Sequence, residues 1–153
     1  MSASPNTAAL DAKAHADAVA VTNIQGKIHA LGSRPPGDPE DLYALSRKLG
    51  RLATRATSAG NGVPAAMGRA TFEGPAGDRF RLNASHASGA GAKAHEVLED
   101  ASKSALKDGH DLATKQATYD KSLSALSAAL TSAKATAAAS QAASSTPLFV
   151  SAF

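Results

Sequence analysis

A short turn, Phe72-Glu73-Gly74-Pro75, separates two long runs in which apolar residues recur every three or four positions. Such spacing places apolar side chains on one face of an α-helix. Glycine permits backbone conformations that other residues resist, and proline suits the first turn of the helix that follows. The pattern therefore predicts an antiparallel helical hairpin with its tip at Phe72–Gly74.

A second break, Gly32–Gly37, contains two prolines and two glycines and sets off a separate N-terminal helix. Asp38 provides an N-cap after this break, and Pro39 suits the first position of the second helix. We also expect a kink or short interruption at Gly60–Pro64, where glycines and a proline interrupt the apolar pattern.

The apolar positions indicate how these helices pack. In the second helix the predicted seam comprises Leu42, Leu45, Leu49, Leu52 and Ala56. In the third helix it comprises Phe80, Ala84, Ala87, Gly91, Ala94, Leu98, Ala101 and Ala105, and it continues through Leu112, Tyr119, Leu126 and Ala133. Many of the residues in the second list are small, so the facing helix can approach closely. We expect the leucines of the second helix to face Leu98, Ala94 and Ala87.

These elements predict an all-α fold in three segments. Residues 1–37 form the N-terminal helix and its Pro/Gly linker, with the helix packed along the hairpin of residues 38–130. Residues 131–153 are a low-complexity Ala/Ser tail, expected to start as helix and then to be flexible, which ends in the apolar peptide Pro147–Phe153. The apolar faces that the hairpin leaves open predict helix-to-helix association.

Composition narrows the possible functions. The chain has 153 residues and no cysteine, which removes thiol catalysis and cysteine-based zinc sites. Its 16 basic and 13 acidic residues give a mild net charge of +3, and the basic residues do not cluster with aromatic ones, so the composition does not favour nucleic acid as a partner. No apolar run reaches the ~18 residues of a membrane span, and the N-terminus lacks the pattern of a Sec signal peptide.

No arrangement of residues predicts catalysis. The five histidines form no pair with metal-binding spacing, and His95 with Glu99 reads as a local ion pair one helical turn long. Ser104 and Lys107 have the serine–lysine spacing of penicillin-recognising enzymes, but the accompanying motifs are absent. We therefore expect a non-enzymatic protein with no catalytic, cofactor-binding or metal-binding residues.

The segment Asp38–Leu42, the leucine seam, the Phe72–Ala76 turn and Phe80 together resemble the WXG family. Members of that family are small helical-hairpin substrates of type VII secretion in actinobacteria and their relatives. The resemblance covers residues 38–130, with Phe72 in place of the family's tryptophan. It implies that Phe72 plugs the hairpin tip, that Phe80 packs beneath it, and that Gly74 permits the turn.

The resemblance also implies partners and a location. The partner would be another helical hairpin, in a homo- or heterodimer, or the secretion ATPase. The protein would be secreted or displayed at the cell surface without a Sec signal peptide. The family's export signal is a tyrosine followed four residues later by an acid. Tyr119 is the candidate tyrosine here, but Leu123 occupies the acidic position.

Two other functions remain open from the sequence. The incomplete export signal is compatible with a cytoplasmic adaptor or chaperone for a secreted effector. The sequence pI of about 9.3 and the many alanines and lysines are compatible with a small nucleoid-associated protein.

Overall fold

The computed structural model describes residues 5–69 and 73–146, and they form three helices with no strand among them. Helix α1 spans Pro5–Leu31, α2 spans Pro39–Met67 and α3 spans Pro75–Ser145. The all-α prediction is confirmed. Phe72 and the terminal peptide 147–153 lie outside the described residues.

The helix boundaries follow the predicted capping signals. The Asp38 carboxylate accepts a hydrogen bond of 3.0 Å from the backbone N–H of Glu40, and Pro39 occupies the first turn of α2. Gly74, immediately before α3, has a φ of +87°, and its carbonyl accepts from the N–H of Asp78 at 3.2 Å. Each break between helices therefore lies where the proline and glycine residues indicate.

The interruption expected at Gly60–Pro64 is absent, because α2 continues through Pro64 to Met67. Proline removes one intrahelical hydrogen bond, yet the ring of Pro64 projects outward from an exposed position. Gly60, by contrast, is buried against α3. We attribute the continuity of α2 to this packing, which holds the helix on both sides of the lost hydrogen bond.

The chain divides into two compact units. The first, here the α1 unit, comprises Met1–Pro35 and Lys115–Phe153, and the second, the hairpin unit, comprises Pro36–Thr114. Helix α3 contributes its first part to the hairpin unit and its second part to the α1 unit. The first part of the low-complexity tail, residues 131–145, is helical and continues α3.

In the hairpin unit, α2 and α3 run antiparallel along a seam of buried and half-buried residues with heptad spacing. On α2 the seam consists of Leu42, Ser46, Leu49, Ala53, Ala56, Gly60, Val63 and Met67. On α3 it consists of Ala84, Ser88, Gly91, His95, Leu98, Ser102, Ala105, Gly109 and Leu112. Cross-helix contacts set the register, and the serine hydroxyls of Ser46 and Ser102 lie 3.1 Å apart.

Every second position of the predicted seam is wrong by one residue. Leu45 and Leu52 are 45% and 38% exposed, and the adjacent Ser46 and Ala53 are buried in their place. On α3, the predicted seam residues Phe80, Ala87 and Ala94 are exposed, and Ala101 is half-buried. The seam there contains Ser88, His95 and Ser102 instead. On α2 the physical reason is that the fully buried positions, which hold Ser46, Ala53 and Gly60, face a closely approaching helix that favours small residues there.

In the α1 unit, α1 packs antiparallel against the second part of α3. The predicted apolar face of α1 is half-buried there, and its seam consists of Thr7, Leu10, Ala14, Asp17, Val21, Ile24, Ile28 and Leu31. The facing residues of α3 are Gln116, Tyr119, Leu123, Leu126, Leu130, Ala133, Ala137, Ser140 and Ser144.

Candidate protein-interaction face

The apolar residues displaced from the seam line up on one side of the hairpin unit. On α2 they recur every seven residues, and so do their counterparts on α3. We call this set the lateral face, and it comprises Leu45, Leu52, Ala59 and Ala66 of α2 with Phe80, Ala87, Ala94 and Ala101 of α3. Each member immediately precedes a seam residue, except Phe80, which lies seven residues before Ala87. Because α2 and α3 are antiparallel, the α2 row and the α3 row therefore lie on the same side of the seam.

A cavity of about 400 Å³ shows directly that the two rows meet on one side. It is lined by Ala59, Gly62, Val63, Ala66, Phe80, Asn83 and Ala84. Ala59 and Ala66 come from the α2 row and Phe80 from the α3 row, so the cavity is one end of the lateral face. Leu45 and Leu52 continue the same row along α2. The face thus combines exposed leucines at one end with an apolar cavity at the other.

One edge of the lateral face is basic. Lys48 and Arg55 each follow a leucine of the face by three residues, and at about 100° per residue this places them about 60° farther from the seam. Both side chains are exposed, and neither lies within 4.0 Å of a carboxylate of the described residues. This edge therefore carries two cations that the described part of the chain leaves uncompensated.

Polar contacts across the seam hold the two helices of the face in register. Ser102 Oγ donates to the carbonyl of Ser46 at 2.9 Å, and His95 Nδ1 donates to the carbonyl of Ala53 at 3.1 Å. His95 Nε2 in turn lies 3.3 Å from Glu99 Oε2. This histidine therefore bridges α2 and α3. The sequence predicted only its local ion pair with Glu99 on α3.

Charge pairing on α3 supports the same region. Lys103 Nζ lies 2.9 Å from Glu99 Oε1, and its hydrogen bond and charge hold the pKa of the Glu99 carboxyl below its ordinary value. The same pairing raises the pKa of Lys103. Because both groups are exposed, the pair contributes little to stability.

The three residues predicted at the hairpin tip, Phe72, Gly74 and Phe80, compare differently with the structure. Phe72 lies outside the described residues, so the proposed plug and the packing of Phe80 beneath it stay predictions. Gly74 adopts the positive φ that the turn requires. Phe80 is 44% exposed and lines the cavity of the lateral face.

The remaining predicted site residues lie on seams. Leu42, Leu49, Leu98 and Leu112 are half-buried in the hairpin unit, and Leu126 is half-buried in the α1 unit. Tyr119, the candidate export-signal residue, is half-buried in the α1 unit and donates its hydroxyl to the Gly32 carbonyl at 3.1 Å. Leu123, at the position of the missing acid, belongs to the same seam.

Sequence reasoning missed a polar cluster in the α1 unit. Ser140 Oγ donates to Asp17 Oδ2 at 2.5 Å, and Lys13 Nζ lies 2.8 Å from the same carboxylate. These hydrogen bonds from Lys13 and Ser140 lower the pKa of Asp17. The sequence did contain a sign of this cluster, because Asp17 and Ser140 are polar residues at positions where the heptad pattern places apolar ones. With its carboxylate paired to a lysine, the cluster fits a register-setting contact between α1 and α3.

No family model matches this chain, and neither the curated proteins nor the solved structures compared with it include a match. In the described part of the chain, none of the helices is long and apolar enough to span a membrane. Within residues 5–69 and 73–146, no group of three or more histidine, aspartate or glutamate side chains is placed to hold a metal ion.

Proposed function

We propose that this protein is a non-enzymatic helical interaction protein that binds another helical protein through its lateral face. The observation that carries the proposal is the exposure of Leu45 and Leu52, which repeat with heptad spacing outside the seam that closes the hairpin unit. Apolar residues with this spacing are what an amphipathic helix covers when it packs along a pair of helices.

The hairpin unit supports this role because its helices are pre-organised. The backbones of Gly60 and Gly91 are in contact, and hydrogen bonds cross the seam at Ser46–Ser102 and Ala53–His95. A surface that is already rigid loses little conformational entropy when it binds. Little reorganisation is therefore needed before a helix can pack against the lateral face.

More specifically, we propose a small type VII secretion substrate or substrate-partner protein that acts through this association. The partner is then another helical hairpin, in a homo- or heterodimer, or the secretion ATPase. Support comes from the antiparallel pairing of α2 with the first part of α3 and from the glycine turn at Gly74. In this proposal the protein reaches the cell exterior or surface without a Sec signal peptide, and the partner provides the acidic half of the export signal.

A cytoplasmic adaptor for a secreted effector is the second candidate, and the environment of Tyr119 favours it. The tyrosine hydroxyl is hydrogen-bonded within the α1 unit, and Leu123 is part of a packing seam. Side chains used for internal packing are less available to a secretion apparatus. The adaptor would use the same lateral face but remain in the cell.

The test combines association with export. We compare the wild type with Leu45→Glu/Leu52→Glu and with a matched control, Leu82→Glu/Leu106→Glu, whose leucines are 57% and 44% exposed away from the lateral face. Culture filtrate and cytoplasm of the native host are analysed, with and without the type VII ATPase. Loss of partner association and ATPase-dependent export in the first variant only supports the secretion proposal.

Two other results separate the alternatives. Association that depends on Leu45 and Leu52 while all forms stay in the cytoplasm identifies the adaptor. Equal behaviour of both double variants in association and export contradicts the proposed use of the lateral face.

A further inference from the structure

We infer that the occupant of the lateral face is an amphipathic helix that has acidic residues along one side of its apolar stripe and a large apolar side chain at one end. This inference rests on the proposed function and specifies the chemistry of the partner. Three observations carry it: the basic edge formed by Lys48 and Arg55, the uncharged opposite edge, and the cavity at the Ala59–Phe80 end.

The two edges of the face differ in charge. On α2, Lys48 and Arg55 border the leucines and pair with no carboxylate of the described residues. On α3, the residues at the equivalent positions are uncharged, and they are Asn83, Ala90, Val97 and Ser104. Val97 is 68% exposed and widens the apolar surface on that side. A helix that fits both edges is therefore acidic towards α2 and apolar or neutral towards α3.

A second copy of this chain fits less well. Its own lateral face would present the same cationic edge and the same uncharged edge, so neither edge offers a row of carboxylates to Lys48 and Arg55. Like charges brought together at an interface oppose association. This asymmetry favours a different chain with an acidic helix over self-association through this face.

The cavity specifies the remaining feature of the occupant. At about 400 Å³, with mostly apolar walls from Ala59, Val63 and Phe80, it has room for one large apolar side chain. Leu45 and Ala66 are 21 residues apart on α2, which corresponds to about 32 Å of helix. The occupant thus needs about three heptads to cover both the leucines and the cavity.

The experiment uses the full chain and synthetic helical peptides of about 25 residues as probes. Three peptides share one apolar heptad stripe and carry Glu, Gln or Lys beside it. A fourth copies the Glu peptide with Ala replacing the Phe that would enter the cavity. Binding is followed by fluorescence anisotropy at low and high salt.

We expect the Glu peptide to bind about tenfold more tightly than the Lys peptide at low salt, with the difference shrinking as salt screens the charges. Lys48→Glu/Arg55→Glu should reverse that preference. The control Arg47→Glu reverses one charge at an exposed position of α2, about 100° around the helix from Lys48, and should preserve it. Replacing the peptide's Phe by Ala should weaken binding about tenfold, and Ala59→Trp should do the same by filling the cavity.

Three results would overturn the inference. Equal binding of the Glu, Gln and Lys peptides, abolished by Leu45→Glu/Leu52→Glu, removes the acidic partner and leaves the proposed function standing. Self-association through Leu45 and Leu52 without peptide binding assigns the face to a second copy. If no peptide binds, the acidic amphipathic helix is rejected as the partner. The association and export experiment then tests the proposed function independently.

Discussion

Gly60 of α2 and Gly91 of α3 meet backbone to backbone in the hairpin unit. A Cβ atom added to Gly91 would lie 3.0 Å from the Cα of Gly60 and 3.1 Å from the carbonyl oxygen of Ala56. The seam positions of α2 that are fully buried hold only small residues, Ser46, Ala53 and Gly60, whereas Leu42 and Leu49 occupy its half-buried positions. A close approach of the helices favours small residues at the fully buried positions, which leaves Leu45 and Leu52 outside the seam. The lateral face is thus a consequence of the close packing of the hairpin.

This contact predicts that Gly91→Leu destabilises the protein, by about 2 kcal/mol, because overpacking outweighs the better helix propensity of leucine. Gly89→Leu is the control, since a Cβ at Gly89 meets nothing within 4 Å. The control should gain about 0.5–1 kcal/mol from helix propensity. Urea unfolding followed by circular dichroism measures both, and equal changes would contradict the close packing at Gly91.

The assignment of leucines to the seam and to the lateral face predicts different costs of truncation. Leu49→Ala, at a half-buried seam position, should lower the free energy of unfolding by about 2 kcal/mol. Leu52→Ala, at a position that is 38% exposed, should lower it by about 0.5 kcal/mol. The same unfolding assay measures both variants, and a loss at Leu52 as large as the loss at Leu49 would support the register predicted from the sequence.

The turn before α3 predicts a backbone effect at Gly74, whose φ is +87°. Gly74→Ala should destabilise by about 1 kcal/mol, because a Cβ is unfavourable in the left-handed region. Gly62→Ala in α2, where a Cβ meets nothing within 4 Å, should instead stabilise by about 1 kcal/mol. Thermal unfolding of the two variants measures this contrast, and stabilisation by Gly74→Ala would exclude a strained turn there.

The Asp17–Ser140–Lys13 cluster predicts an acid-dependent loss of stability. The pKa of Asp17 is lowered by hydrogen bonds from Lys13 and Ser140, so its ionised form is favoured in the folded chain. The stabilisation is complete above the unfolded-state pKa of about 3.9 and is lost as pH falls through the lower folded-state value.

Thermal unfolding between pH 7 and pH 2 tests this dependence. The wild type should lose stability more steeply below about pH 4 than Asp17→Asn, which lacks the titrating carboxyl. Asp11→Asn changes an exposed carboxylate on the same helix and should keep the wild-type profile. Parallel profiles for the wild type and Asp17→Asn would show that the cluster makes no pH-dependent contribution.

Much of the fold was predictable because local chemistry specifies it. The capping of α2 by Asp38, the prolines at the helix starts and the glycines in the breaks all act within a few residues of chain. The apolar face of α1 was also predictable, since Val21, Ile24 and Ile28 leave no competing face on that helix. The continuity of α2 through Pro64 was not, because it depends on packing against α3.

The candidate face was predicted only in part. The sequence shows that the leucines of α2 form a stripe wide enough to contact two neighbouring helices, and they are Leu42, Leu45, Leu49 and Leu52. The residues adjacent in sequence do not determine which of these leucines face α3. The interhelical polar contacts, such as Ser140 with Asp17 and His95 with Ala53, were likewise invisible because their partners are distant in sequence.

Helix propensity, capping and turn chemistry are properties of neighbouring residues, so the amino-acid order alone accounts for the three helices of the described residues and for the start of α2. The distance between packed helices is a property of residues far apart in the chain. Helices α2 and α3 approach closely at Gly60 and Gly91, and the fully buried positions of α2 hold the small residues Ser46, Ala53 and Gly60, so Leu45 and Leu52 lie outside the seam. The lateral face therefore depends on packing that no single segment encodes.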